Sequence, residues 1–256
     1  MDRAVVRHAG PWRKSGGLRK ARVSAPPPVL SCAVRQMQSL TKARFMQTSS
    51  DSSVVALYDG TAESYARMMD EEIELPVYSD TLARLSEGIR TVPGAVVDTS
   101  CGSGHMLWLY RERHDPQRAV MGVDLSERMV ALAQARLGPD TQVVAGDMRR
   151  LPHLATGSVA GVINFFSIHH LESDEVKSSL KECHRILRAG GRLVLAAWEG
   201  AGVIDYGGAS DVIACKHGKL ELMAWLDECG YRLERSRVDA VEDMGMDAVY
   251  LDAEKI

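Results

Sequence analysis

From residue 95 onward, short apolar runs that close on turn residues alternate with segments of helical periodicity. AVVDTS (95–100), AVMGVDLS (119–126), TQVVAGD (141–147), SVAGVINFF (158–166) and RLVLAAW (192–198) read as buried strands. Between them, HMLWLYRERH (105–114), SERMVALAQARLG (126–138) and SDEVKSSLKECHRILRAGG (173–191) read as helices. Ser126 is the expected cap of the second of these helices and Gly138 its stop. Ser173 is the expected cap of the third, and Gly190-Gly191 its end. A further helix over 219–230 and strands over 231–241 and 247–254 complete the series. Strands linked by helices form β-α-β units, so the fold class is α/β: a mainly parallel, seven-stranded sheet with helices on both faces. Ligands in such sheets bind beyond the carboxyl ends of the strands, near the switch in strand order. Two helices are expected ahead of the alternation, one over 54–70 interrupted near Gly60 and one over 79–92 capped by Ser79.

The net charge of −3 averages two unlike parts. Residues 1–50 carry ten Lys or Arg and one acid, a charge of +9, whereas the other 206 residues carry 21 basic and 33 acidic residues. The first part also holds Pro26-Pro27-Pro28 and no hydrophobic period, so it is expected to be a disordered basic leader, with one domain over 51–256. A transit peptide, a translated region ahead of a start at Met37 or Met46, and a basic nucleic-acid arm are the three explanations of the leader. The corresponding location is the cytoplasm, or the interior of a mitochondrion or plastid if the leader is a transit peptide. No apolar run approaches the ~20 residues that span a bilayer. Five cysteines, widely spaced and without C-x-x-C, argue against a disulfide framework or a structural zinc site. An acidic body disfavours nucleic acid as a partner of the folded part, and neither a membrane partner nor a metal site is expected.

Three strand-to-helix loops carry the chemistry. Asp98-Thr99-Ser100-Cys101-Gly102-Ser103-Gly104-His105 is built of small residues, which let backbone N–H groups approach a ligand at the start of a helix. Asp124 lies twenty residues after Gly104 at the end of the next strand, where a carboxylate can accept hydrogen bonds from ribose hydroxyls. Gly146-Asp147-Met148 follows the third strand, where a polar side chain can reach an adenine amine or serve only as a turn acid. A nicotinamide dehydrogenase would want a third small residue where Leu107 stands.

The series VVDTSCGSG, GVDLS, AGDMRRLP, VINFFSIHHL and ILRAGGRLVLAAWEG resembles, in this order and spacing, the class I S-adenosylmethionine-dependent methyltransferases, in particular their small-molecule branch. The resemblance covers roughly residues 55–254. It implies a Rossmann-like sheet with an antiparallel last strand and S-adenosyl-L-methionine as cofactor. It implies that Asp98 holds the cofactor's amino group and that backbone at Ser100, Cys101, Gly102 and Gly104 passes close to it. Asp124 would bind ribose, Leu125 and Met129 would lie against adenine, Asp147 and Met148 would sit at its amine, and Phe165 would flank the sulfonium. Tyr65 or Tyr58 would cover the cofactor, or pack as ordinary helix residues. The family's first loop usually has glycine where Ser100 stands, so a positive φ there would strain the serine.

Methyl transfer from a sulfonium is an in-line displacement, governed by alignment and desolvation. His170 and His169, just past the fourth strand, are the candidate bases, with an orienting role as the alternative. Asn164-Phe165-Phe166-Ser167 lacks the paired prolines of enzymes that methylate nucleobase or glutamine amino groups. Tyr58, Phe166, Trp198, Asp205 and Tyr206 are the candidate substrate contacts, the last two in a glycine-rich loop. No large insertion follows the fifth strand, so a small-molecule acceptor is expected, taken by a monomer or homodimer. The alternative is a non-catalytic cofactor-binding or interaction protein that keeps the fold.

Overall fold

The computed structural model describes residues 5–6, 48–204, 212–241 and 244–256. In chain order these form β1 (Val5–Val6), α1 (Asp51–Glu72), α2 (Pro76–Gly88), β2 (Val96–Asp98), α3 (His105–Arg113), β3 (Val120–Asp124), α4 (Glu127–Leu137) and β4 (Gln142–Ala145). Then follow β5 (Val159–Phe165), a 3-10 turn (Ile168–His170), α5 (Ser173–Ile186), β6 (Leu187–Glu199), α6 (Lys219–Glu228), β7 (Tyr231–Val241) and β8 (Met246–Lys255). The sheet order is β1-β7-β8-β6-β5-β2-β3-β4. Strands β2 to β6 run parallel, while β8 is antiparallel to both β6 and β7. The seven strands read from the sequence are all present. The leader, expected to be disordered, adds β1 as an eighth, pairing parallel with Ala240–Val241; the rest of it lies outside the described residues.

Residues that alternate along a central strand serve opposite faces. In β6, Val194 and Ala196 pack into the core formed with Leu82, Leu85 and Ile89 of α2 and Leu107 and Tyr110 of α3. Leu193, Leu195 and Ala197 pack into the other, with Leu180 and Ile186 of α5 and Leu222 and Leu226 of α6. The chain steps outward from β2 to β3 and β4, then returns to β5 on the other side of β2. The crevice at the carboxyl ends of β2 and β5 is therefore the switch point.

Four local expectations are corrected. Helix α1 is continuous through Gly60, because that glycine faces open space and a buried stripe of Val54, Ala62 and Met69 holds the helix on both sides of it. Helix α2 begins at Pro76, not after Ser79; proline suits the first helical position, where its missing N–H has no partner to lose. The cap of α5 is Glu172, whose N–H donates to Glu175 Oε2 at 3.1 Å, in place of Ser173. The same helix ends at Ile186, and Gly190-Gly191 lie inside β6. There Val159 pairs with Leu187 but Gly161 pairs with Arg192, so β6 carries extra residues against β5 and the glycines sit in the bulge.

Candidate functional site

The loop after β2 is built by three anchors. Thr99 N–H donates to Ile163 O of β5 (3.1 Å), Cys101 N–H donates to Val123 O of β3 (2.9 Å), and Gly102 N–H donates to Asp124 Oδ2 (2.8 Å). Gly102 (φ 50°) and Gly104 (φ 83°) are left-handed, which a side chain would resist. A Cβ at Gly102 would lie 3.2 Å from the Tyr65 ring, so its absence lets α1 close over the loop. Ser100 is not left-handed; among the described residues Phe166 (φ 51°) is the one non-glycine with positive φ. The serine therefore carries no such strain, and its buried hydroxyl has no hydrogen-bond partner in the protein.

Two adjoining chambers open at the switch point. The smaller, about 90 Å³, is lined by Gly102, Asp124, Leu125, Met129, Gly146, Asp147 and Met148, with Arg149 and His170 at its margin. Asp124 is fixed from two sides: besides Gly102, Ser126 N–H donates to its Oδ1 (3.0 Å). Each oxygen keeps a further lone pair, and burial pushes the carboxyl above its ordinary range. Leu125 is 37 % exposed at this margin, an apolar face offered to a planar ligand. Asp147 accepts from Arg149 Nε at 2.9 Å on both oxygens. Arg149 also pairs with Asp51 of α1 and Glu175 of α5, so three carboxylates meet one guanidinium. Met148 Sδ lies 3.4 Å from Asn164 Nδ2, which also donates to Thr99 Oγ1 at 3.0 Å.

The larger chamber, about 330 Å³, runs under α1. Tyr58, Tyr65, Phe165, Phe166 and Ser100 line both chambers. Asp98, Cys101, His169 and Trp198 line the larger one only. Phe166 stacks on Trp198 with ring centroids 4.7 Å apart, and its strained backbone aims it there. Asp98 is 2 % exposed and accepts Ser100 N–H at 3.1 Å. Burial raises its carboxyl to about 7, so a cation beside it would be strongly favoured.

The two candidate bases face different chambers. His169 lines the larger, and its Nδ1 has no partner. His170 lines the smaller, with Nε2 at 2.9 Å from Tyr58 Oη. Burial holds His170 down at about 4 and His169 well below the usual imidazole range, so both are neutral at pH 7. Asp205 and Tyr206 lie outside the described residues. Sequence reasoning passed over Glu72 and Tyr78, which line the larger chamber, because each reads as an ordinary helix residue. It also passed over Arg149, for which the loop motif gave no signal. Among the described residues no group of three or more His, Cys, Asp or Glu is placed to hold a metal ion, and no helix is long and apolar enough to cross a membrane.

The arrangement fits S-adenosylmethionine. A buried carboxyl raised by burial, a carboxylate with both oxygens held by backbone N–H groups, an apolar slot and an orphaned serine hydroxyl line the two adjoining chambers. Residues 96–191 match the methyltransferase-domain family. The chain is 29 % identical over 140 residues to a demethylmenaquinone methyltransferase of Thermotoga maritima, covering 54 % of this chain and 58 % of that one. It is 31 % identical over 147 residues to a malonyl-[acyl-carrier protein] O-methyltransferase of Dechloromonas aromatica, covering 54 % and 53 %. Across the curated relatives it matches, the chain spans 48–61 % of their length. Its fold is shared with magnesium protoporphyrin IX methyltransferase of Synechocystis bound to S-adenosylhomocysteine, at a TM-score of 0.61 and 17 % identity over 81 % of this chain and 100 % of that one. Switch-point crevice, loop geometry and these likenesses agree: residues 96–191 match the methyltransferase-domain family, and the sheet around them has the fold of S-adenosylmethionine-binding methyltransferases.

Proposed function

We propose that this protein transfers a methyl group from S-adenosylmethionine to a small organic acceptor held in the larger chamber. The observation that carries the reading is Asp124, whose two oxygens are oriented by Gly102 and Ser126 N–H groups beside an apolar slot. When bound, the cofactor supplies a methyl group made electrophilic by its sulfonium. Asp124 accepts the ribose hydroxyls, Leu125 and Met129 flank adenine, and Asp147, held by Arg149, takes its amine. Asp98 holds the amino group, and Tyr65 and Phe165, which line both chambers, exclude water where donor and acceptor meet. Alignment of the acceptor by this cage does most of the catalytic work. His169 and His170, held neutral by burial, serve as hydrogen-bond groups at the two chambers.

Calorimetry with S-adenosylhomocysteine tests the reading. Asp124→Ala removes two charge-assisted hydrogen bonds to ribose, each worth about 1.5–3 kcal/mol, so affinity should fall by about 100-fold or more. Equal affinity in the variant would remove the ribose assignment and with it the cofactor reading of the smaller chamber.

A further inference from the structure

The larger chamber has a lining of two unlike kinds. On the sheet side Phe165 closes β5, Phe166 follows it and Trp198 lies in β6. The Phe166 and Trp198 rings have centroids 4.7 Å apart, and Tyr250 meets Phe165 and Phe166 edge-on at 6.5 and 6.0 Å. Rings locked to one another in this way present a stiff apolar surface. On the helix side stand Met68 and Met69 of α1 and Met106 of α3, joined by Met244 ahead of β8. Unbranched thioethers adapt to the shape they cover and make favourable contacts with ring edges. An apolar cavity of about 150 Å³ takes one benzene ring. A chamber of about 330 Å³ therefore has room for the methionyl end of the donor together with one ring system. Two polar atoms of this lining are buried without a hydrogen-bond partner, Ser100 Oγ and His169 Nδ1. Ser100 lines both chambers, where the donor would pass from one to the other, whereas His169 lines the larger one only.

We propose that the acceptor is an uncharged, ring-bearing molecule whose ring packs on Phe165, Phe166 and Trp198 and whose hydroxyl or carbonyl pairs with His169; the inference rests on the methyl-transfer reading above. Burial keeps the His169 imidazole neutral, so it offers one donor and one acceptor nitrogen and no charge. A hydroxyl or carbonyl is matched by such a ring. An ion gains nothing from it that offsets the loss of its hydration. The remaining contact is with rings and thioethers, whose stabilisation grows with the apolar area they cover. Among the described residues no Lys or Arg lines the chamber, so a carboxylate or phosphate would be buried there with no cation from the lining beside it. His170 does not share this role: it lines the smaller chamber, and its Nε2 is engaged with Tyr58 Oη at 2.9 Å. The stiff ring surface sets the plane of the acceptor, and the thioethers accommodate differing substituents at its other side.

The test uses the full chain saturated with S-adenosylhomocysteine, with binding read by calorimetry at pH 7. The probes share one ring and differ in charge: para-cresol is neutral, para-toluate is an anion and para-methylbenzylamine is a cation. The cation is included because ring faces by themselves attract positive charge. Para-cresol should bind at least about tenfold tighter than either ion. Trp198→Ala should weaken para-cresol by about fivefold or more. His169→Phe should weaken it by about tenfold and His169→Asn should regain part of that loss, with S-adenosylhomocysteine affinity the same in all three variants. An ion that binds as tightly as para-cresol, no binding of para-cresol, or unchanged para-cresol affinity in Trp198→Ala or His169→Phe would each overturn the proposal. Should a variant lose S-adenosylhomocysteine as well, and so be misfolded, the ranking of the three probes on the parent chain decides. Failure of S-adenosylhomocysteine to bind the parent protein would instead overturn the cofactor reading, so the two failures are distinguishable.

Discussion

Asp98 is a carboxyl held to about 7 by burial, with Asp124 adding like charge and the Ser100 N–H opposing the shift. A carboxyl raised above its unfolded value binds more protons folded than unfolded, so its contribution to stability is complete below about pH 4 and is lost as pH rises through about 7. Asp98→Asn should therefore stabilise the ligand-free protein at pH 8, with the advantage vanishing toward pH 4; chemical denaturation at the two pH values checks it. For ligand binding the proposed function gives the opposite sign, because an ammonium held by Asp98 wants the ionised form. Affinity for S-adenosylhomocysteine should rise with pH through about 7 in the parent chain and stay flat in Asp98→Asn, as calorimetry over that range would show. At this scale the sequence placed the aspartates at strand ends, and Asp98, Asp124 and Asp147 do line the two chambers, because the strands before them are buried and the loops after them are small. Ser100 was readable only as a question, since φ at that residue depends on how the loop is tied to β3 and β5. Nothing in the sequence signals the left-handed backbone of Phe166, which arises because its N–H must meet Ala196 O (2.8 Å) while its ring packs on Trp198.

Helix α1 is amphipathic in an uncommon sense: one face lines the site, and the other bears acids that fasten it. Asp51 pairs with Arg149, Asp59 accepts from Ser126 Oγ, Glu63 pairs with Arg128, and Asp70 pairs with Arg136 at 2.8 Å and bonds His105. Most of these pairs are half-exposed and each contributes little alone. Arg149, whose side chain is 19 % exposed and which meets three carboxylates, is the exception. Arg149→Met should cost about 1–2 kcal/mol of stability and release the start of α1. Hydrogen exchange would then show faster amides over the first two turns of α1, with little change in β5 or β6; equal protection in both proteins would mean that the arginine does not fasten the helix. The sequence supplied the helix but placed a break at Gly60. A glycine costs a helix about 1 kcal/mol, a local penalty that long-range packing overrode.

For the whole molecule, the sheet order brings the ends of β2 and β5 together, and α1 roofs the crevice they make. A ligand that fills this space binds the folded chain and not the unfolded one. At a hundredfold excess over its dissociation constant, S-adenosylhomocysteine should stabilise the protein by about 2.7 kcal/mol and raise the melting temperature by several degrees. Scanning calorimetry that showed no rise at saturation would contradict the cofactor cradle as drawn. The sequence by itself determined the strands, most of the helices, the parallel character of the sheet and the three loops that line the chambers. These follow from periods and turn residues that act over a few positions. The tertiary structure alone decided what shares a chamber: that Glu72 and Tyr78 line the same space as Phe165, that His169 and His170 face different spaces, and that Arg149 ties the start of α1 to the loop after β4. Those neighbours lie up to 98 residues apart along the chain. They meet because burying the apolar stripe of α1 over the strand ends outweighs the entropy of closing the chain, a balance struck by the folded whole.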